Sequence, residues 1–437
     1  MDASELYKFN EWWDTGKVNE NNLEKYKRYL FSRIQKFMDD KQIILITGLR
    51  RVGKTRLMYQ IVNHLLEKGA DKRKIFFFSF DEKGADLKDV LETYKREVLR
   101  KNFRDAGRVY MFLDEIQKVD DWENKIKVYY DLNPNIKFFL SGSASLILSR
   151  KSKESLAGRI YEFVLKPLTF KEFLDIKGVK ISFSDAKLLN EKILPHFSDF
   201  LIKAGFPEII QEENEEKIKS YIKLSVIDRI IYKDVPSQFG RTDVELLEKL
   251  VDIFLKNPGS VLNFDNLAKD LGRDKKTLIN YVYYLRFSLL LNFVSNYRIS
   301  ILAASRKNKK IYPAASSLAF ALYGNFDSQI MGSMMEAAFC HETDARYYFR
   351  KGTKEIDFLI MRKNKIIPVE IKSGDYQKEL VGYASVMNGL DLKKGIMLTT
   401  DKFGEFSKNG IKILLYPLWV FVVFMEEILA NLMEKGG

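Results

Sequence analysis

Eight residues beginning at Gly48 read G-L-R-R-V-G-K-T, and their types and spacing suit one task, the cradling of a chain of phosphates. Glycines let successive backbone N–H groups curl round an anion, Lys54 reaches the terminal phosphates, and the Thr55 hydroxyl can ligate Mg²⁺. The candidate nucleotide contacts are therefore Gly48, Arg51, Val52, Gly53, Lys54, Thr55 and Arg56. Arg50 and Arg51 both lie in the loop, with room for one to face phosphate and the other solvent, and their order does not rank them. The flanks agree with a strand, loop and helix. Ile43, Ile44, Leu45 and Ile46 form an apolar run before the loop. Leu57, Ile61 and Leu65 recur every fourth residue behind it and Gly69 marks a stop, which predicts an amphipathic helix whose N-terminal dipole faces the anion.

A second apolar run, Val109 to Leu113, ends in Asp114 and Glu115. At the carboxyl end of a parallel strand beside the loop, Asp114 is placed to hold Mg²⁺ and Glu115 to polarise the water that attacks a γ-phosphate. A third strand, Lys137 to Leu140, runs into Ser141, Gly142 and Ser143. Either serine could sense the γ-phosphate, and Ser143 is the one chosen; simple turn chemistry is the alternative. Arg159, in S-L-A-G-R-I, is a candidate transition-state arginine for its own nucleotide or a neighbour's, and an ordinary surface arginine is an equal reading.

A separate constellation stands near the carboxyl terminus. Asp357 closes E-I-D, and Glu370 and Lys372 belong to P-V-E-I-K-S-G, the D…ExK order of two adjacent strands. Such strands bring Asp357 and Glu370 to one Mg²⁺, and Lys372, two residues beyond Glu370, shares its face because side chains alternate with period two. Lys372 could then stabilise developing charge or orient a water. Glu336, on the helical stretch Met331 to Cys340, is the fourth candidate.

These motifs need several cores to hold them. The 437 residues exceed one ordinary domain, and 46% hydrophobic with 30% charged residues describes a globular chain. One cysteine excludes an internal disulfide framework, and three histidines make carboxylates the expected metal ligands. A net charge of +13 favours polyanion partners, nucleic acid first among them. The polar, aromatic start shows no secretory leader, so a cytoplasmic location is expected. The apolar stretch around Pro417 to Met425 falls short of the roughly 20 residues of a membrane span.

The predicted order is an N-terminal helical segment (1–40) whose Trp12 and Trp13 pack on the following domain, an α/β core with a parallel sheet (41–166), a helical lid (167–240), a winged helix (241–312) and a restriction-endonuclease-like α/β domain (313–437). In the winged helix, Phe264 to Leu271 and Lys275 to Leu285 flank the turn Gly272-Arg273-Asp274, and Lys275, Lys276 and Asn280 are left exposed. Arg306, Lys307, Lys309 and Lys310 crowd the hairpin tip, which suits DNA backbone contact, although such modules also dock proteins.

In order, G-L-R-R-V-G-K-T, F-L-D-E-I-Q, S-G-S, A-G-R, P-L-T-F-K-E-F, A-G-F-P-E, Y-K-D-V-P, E-I-D-F and V-E-I-K-S-G resemble the prokaryotic, archaeal-type AAA P-loop ATPases with a middle winged helix and a restriction-endonuclease-like C-terminal domain of unknown function. The resemblance implies a P-loop NTPase fold, ATP rather than GTP, Mg²⁺, and a homo-oligomer as one expected assembly. Two departures stand out: Ala204 replaces a usual glycine, and Tyr312-Pro313-Ala314-Ala315 lacks the acidic residue that normally follows. The expected activity is ATP hydrolysis coupled to a DNA-binding winged helix and a nuclease-like domain. The alternative is a slow nucleotide switch whose C-terminal domain binds DNA or protein without cleaving it.

Overall fold

Four apolar runs and one mixed segment become five parallel strands in the first half of the chain: β1 (Ile43–Thr47), β2 (Ile75–Ser79), β3 (Val109–Asp114), β4 (Ile136–Gly142) and the mixed β5 (Ile160–Val164). Their lateral order is β2-β3-β4-β1-β5, with every pair parallel. Strands covered by helices on both faces must be apolar on both, and β1 and β4 are buried along their whole length. β4 lies between β1 and β3, so the phosphate loop and the acidic pair end on strands that are not neighbours.

The computed structural model describes residues 1–24, 26–81, 84–143, 154–298, 308–323, 328–362 and 365–434. Two compact units divide the chain at Lys166 and Pro167. Residues 1–40 belong to the first unit, where they finish the exposed side of β2. Asn10 acts as a one-residue strand: its Nδ2 donates to Phe77 O at 2.8 Å and its Oδ1 accepts from Phe77 N at 2.7 Å. The indole N–H groups of Trp12 and Trp13 both donate to Ile75 O, at 3.0 and 2.9 Å, and both rings are buried. An edge strand left bare would invite pairing with another chain, and this segment covers it.

The second unit opens with helices, among them Phe170–Ile176, Asn190–Lys203, Glu215–Ile222 and Val244–Lys256. The stretch expected to be a lid is fastened within this unit. Ser316 Oγ donates to Leu201 O at 2.7 Å, Phe170 N to Glu342 Oε1 at 2.7 Å, and Trp419 Nε1 to Asn190 Oδ1 at 2.8 Å. Residues 244–313 then run helix, strand, helix, helix, strand, strand: Val244–Lys256, β6 (Ser260–Val261), Phe264–Leu271, Lys275–Phe287, β7 (Leu291–Asn296) and β8 (Lys309–Pro313). Here the expected domain boundary at 312 meets a different arrangement. β7 also pairs in parallel with β9 (Tyr347–Lys351), so one sheet continues into β10 (Lys354–Arg362), β11 (Lys365–Lys372), β12 (Lys394–Thr399), β13 (Gly404–Lys408) and β14 (Ile411–Pro417). Its order is β13-β14-β12-β11-β10-β9-β7-β8-β6. Shared backbone hydrogen bonds make the two predicted modules one layer. Among the described residues, no helix is long and apolar enough to cross a membrane.

Candidate functional site

The loop after β1 closes on the Lys54–Glu67 helix. Gly53 holds φ 97°, a left-handed conformation that a side chain would strain. Gly48 is required by proximity, since a Cβ there would fall 2.3 Å from Leu165 O, and Leu165 N donates to Thr47 O at 2.7 Å. Lys54, buried at the head of the helix, donates from Nζ to the Gly48 and Leu49 carbonyls, both at 3.1 Å, so its ammonium lies across the loop.

Asp114 gathers the polar groups. Its Oδ2 accepts from Thr55 Oγ1 at 2.8 Å, and its Oδ1 accepts from Ser141 Oγ and, at 3.1 Å, from Glu115 N. Burial raises the Asp114 carboxyl above the usual range and the Glu115 charge adds to this, while Ser141, Thr55 and Lys54 pull it down. Glu115 is half-buried at φ 53°, a backbone state that costs energy for a non-glycine residue and clusters at functional sites. Thr47 Oγ1 is buried without a hydrogen-bond partner at the root of the loop. A glycine cradle, an ammonium across it, and a hydroxyl and carboxylate in contact below fit a Mg²⁺-bound triphosphate.

The structure places three of the expected site residues as follows. Ser141, wholly buried in β4, touches Asp114, whereas Ser143 stands half-buried beyond the strand end. The Arg56 guanidinium turns to Asn21 O and, at 3.1 Å, to Asn22 Oδ1. Arg159 lies at the opposite end of the sheet. Its carbonyl accepts from Ile43 N at 2.8 Å, five residues before Gly48, which at strand rise is about 16 Å. Its guanidinium grips Asp131 at 3.0 and 3.1 Å. Arg159 thus stands at the end of β5 away from the loop of its own chain. Arg51 is exposed at φ 63°, and Val52 is buried.

One residue escaped the sequence reading. Arg28, 9% exposed, donates from Nη1 to Val52 O and from Nη2 to Lys166 O, both at 2.8 Å. It ties the phosphate loop to the last residue of the first unit. Contacts 24 and 138 residues away leave no local signal.

In the second unit, antiparallel pairing of β10 with β11 brings Asp357, Glu370 and Lys372 together, with Glu336 from the Ser328–Thr343 helix. Each carboxylate has partners. Asp357 Oδ2 accepts from Ile371 N at 3.0 Å, and Glu370 accepts from Asp357 N at 3.3 Å and pairs with Lys372 Nζ at 3.0 Å. Tyr312 OH donates to Glu336 Oε2 at 2.7 Å. Lys310, expected on an exposed hairpin tip, is 5% exposed, with Nζ 2.7 Å from Glu355 and 3.5 Å from Asp357. β8 is held between β6 and β7, and the half-buried Glu355 and buried Asp357 supply the partners that a buried ammonium requires. Lys309 is half-buried, and Arg306 and Lys307 lie outside the described residues. Burial and the Asp357 charge push Glu336 up to about 7 and Glu370 up to about 8. Among the described residues, no three acidic, histidine or cysteine side chains are arranged to hold a metal ion.

The strand order, the glycine loop and the hydroxyl-capped carboxylate at its mouth define a P-loop nucleotide-binding domain. More particularly, residues 40–174, which take in most of the first unit, match a family model described as an AAA domain. Residues 194–329 and 325–419 match two models described only as domains of unknown function, DUF8612 and DUF4143. The chain is similar to the uncharacterized protein MJ1544 of Methanocaldococcus jannaschii, 26% identical over 366 residues and 80% of each chain. It is also similar to an uncharacterized protein of Haemophilus influenzae, 23% identical over 405 residues, 90% of this chain and 98% of the other. Among solved structures, Aeropyrum pernix Orc1 in complex with DNA is 15% identical over 67% of this chain and 90% of its own, with a TM-score of 0.30. Cdc6p from Pyrobaculum aerophilum is 11% identical over 73% and 98%, with a TM-score of 0.27.

Proposed function

We propose that the first unit binds Mg²⁺-ATP and hydrolyses it, and that the nucleotide state governs how the second unit engages DNA. The observation that carries this reading is the buried Asp114 carboxylate, held by Thr55 and Ser141 beside the Gly48–Thr55 loop. Lys54 swings from the loop carbonyls to the terminal phosphates, a move that exchanges two neutral acceptors for charged ones. Thr55 and Asp114 would hold Mg²⁺, which supplies charge neutralisation at the phosphates. Glu115 orients the attacking water, and Ser141 keeps the Asp114 carboxylate aimed. Lys54→Ala should abolish nucleotide binding or turnover, and Glu115→Gln should retain ATP while hydrolysing it slowly. Unchanged turnover in both variants overturns the assignment.

For the second unit, the order of elements over 244–313 supports a winged helix, with Lys276 and Asn280 exposed on the Lys275–Phe287 helix. Lys275 and Arg273 are engaged by Asp265 and Asp243 at 2.7 and 2.9 Å, so Lys276 is the residue to test. Lys276→Glu should weaken DNA binding and lower its salt slope. A second reading has its own observation. Ile279 and Tyr283 are 43% and 45% exposed on the same helix, a surface that also suits a protein partner. Nuclease action through Asp357, Glu370 and Lys372 is not part of the proposal, because their polar atoms are committed to one another and to Lys310. In a homo-oligomer, Arg159 would be available to a neighbouring copy once it leaves Asp131.

A further inference from the structure

The D…ExK order leads to the expectation of a divalent cation between Asp357 and Glu370, and the donor set found there does not fit one. A cation held by carboxylates needs oxygens turned toward a common point. Asp357 Oδ2 is taken by Ile371 N at 3.0 Å, and its Oδ1 faces Lys310 Nζ at 3.5 Å. Both Glu370 oxygens are occupied, one by Lys372 Nζ at 3.0 Å and the other by Asp357 N at 3.3 Å. Glu336 Oε2 accepts from Tyr312 OH, and a Cβ on Gly259 would stand 3.0 Å from the same oxygen, so that carboxylate is hemmed in by backbone.

The charges nearly balance as they stand. Four carboxylates (Glu336, Glu355, Asp357, Glu370) face three cations: Lys310, Lys372 and the exposed Arg350, the last 3.4 Å from Glu355. With all four carboxylates ionised, one negative charge remains over. A divalent ion would reverse the sign unless a lysine left, and Lys310 is buried on strand β8, which is paired on both sides. The residue comes from a part of the chain remote from the D…ExK segments, so the motif itself gives no sign of it.

We infer that Lys310 is the resident cation of this centre, filling with its ammonium the role that the motif assigns to a metal, so that the native chain takes up no divalent ion at Asp357 and Glu370. The inference is independent of the ATPase reading, because its test uses no nucleotide. It also makes the centre a structural knot that joins β8 to β10 and β11 through side chains that the motif would assign to cleavage.

The test is Mn²⁺ binding to the full chain without nucleotide, counted by electron paramagnetic resonance. Wild type and Asp357→Asn should bind the same number of ions, since any site at the phosphate loop is common to both. Lys310→Met should gain one ion per chain, and Lys310→Met with Asp357→Asn should lose it again. An ion bound by wild type and lost in Asp357→Asn would overturn the inference. So would a folded Lys310→Met chain that gains none. If Lys310→Met does not fold, the wild-type and Asp357→Asn comparison decides alone.

Discussion

Replacing Ser141 with alanine tests which serine serves the nucleotide site. The Asp114 carboxylate, 3% exposed, has three hydrogen bonds, from Thr55 Oγ1, Glu115 N and Ser141 Oγ. Removing one hydrogen bond to a buried charged group costs about 1.5–3 kcal/mol, and here the loss falls on the ionised form of the carboxyl. The sign follows from the environment. Burial and Glu115 already hold the Asp114 carboxyl above its usual range, and Ser141 opposes them, so its loss raises the carboxyl further. Mg²⁺ needs the ionised form, so activity is lost as pH falls through a higher pKa and the acidic limb of the kcat/KM profile moves upward. At neutral pH, steady-state ATPase assays should show a fall of about tenfold to a hundredfold for Ser141→Ala, with Ser143→Ala within about twofold of wild type on the usual scale of surface changes. A larger defect in Ser143→Ala, or an acidic limb that stays put in Ser141→Ala, would refute the reasoning.

Arg28→Met strands the Val52 and Lys166 carbonyls and loosens the loop; KM for ATP should rise by about tenfold with a smaller fall in kcat. Lys137, wholly buried in β4, donates to the carbonyls of Phe37, Asp40 and Gln42 at 2.8, 2.8 and 2.6 Å. Lys137→Met should destabilise the first unit by about 3 kcal/mol or more, read from its denaturant midpoint. For the second unit, Glu336 and Glu370 stand at about 7 and about 8, above their unfolded value of 4.5. The folded state then binds protons that the unfolded chain has released, so stability falls as pH rises through that window, and Glu336→Gln should flatten the dependence of Tm on pH.

The phosphate loop is legible in consecutive residues because its chemistry is local. Glycine spacing, one lysine, one hydroxyl and the periodicities on either side specify a strand, a turn and a helix without reference to the rest of the chain. The parallel sheet of the first unit is legible for the same reason over β1 to β4, since each of these strands is an apolar run ending in a small or acidic residue. The helices Phe264–Leu271 and Lys275–Phe287 announce themselves by period and turn, within two residues of their ends.

What the sequence could not decide is which distant groups meet. β4 enters between β1 and β3, and that insertion brings Ser141 rather than Ser143 to Asp114. Strand pairing carries Arg159 to the far end of the sheet, and no spacing in S-L-A-G-R-I encodes that. The β7–β9 pairing merges what read as two domains, and it does so through backbone groups that every residue possesses. Lys310 shows the limit most clearly. In one dimension it is one basic residue among several at a hairpin tip. In three it is a buried ammonium between Glu355 and Asp357, because a charge removed from water must find its partners wherever the sheet places them.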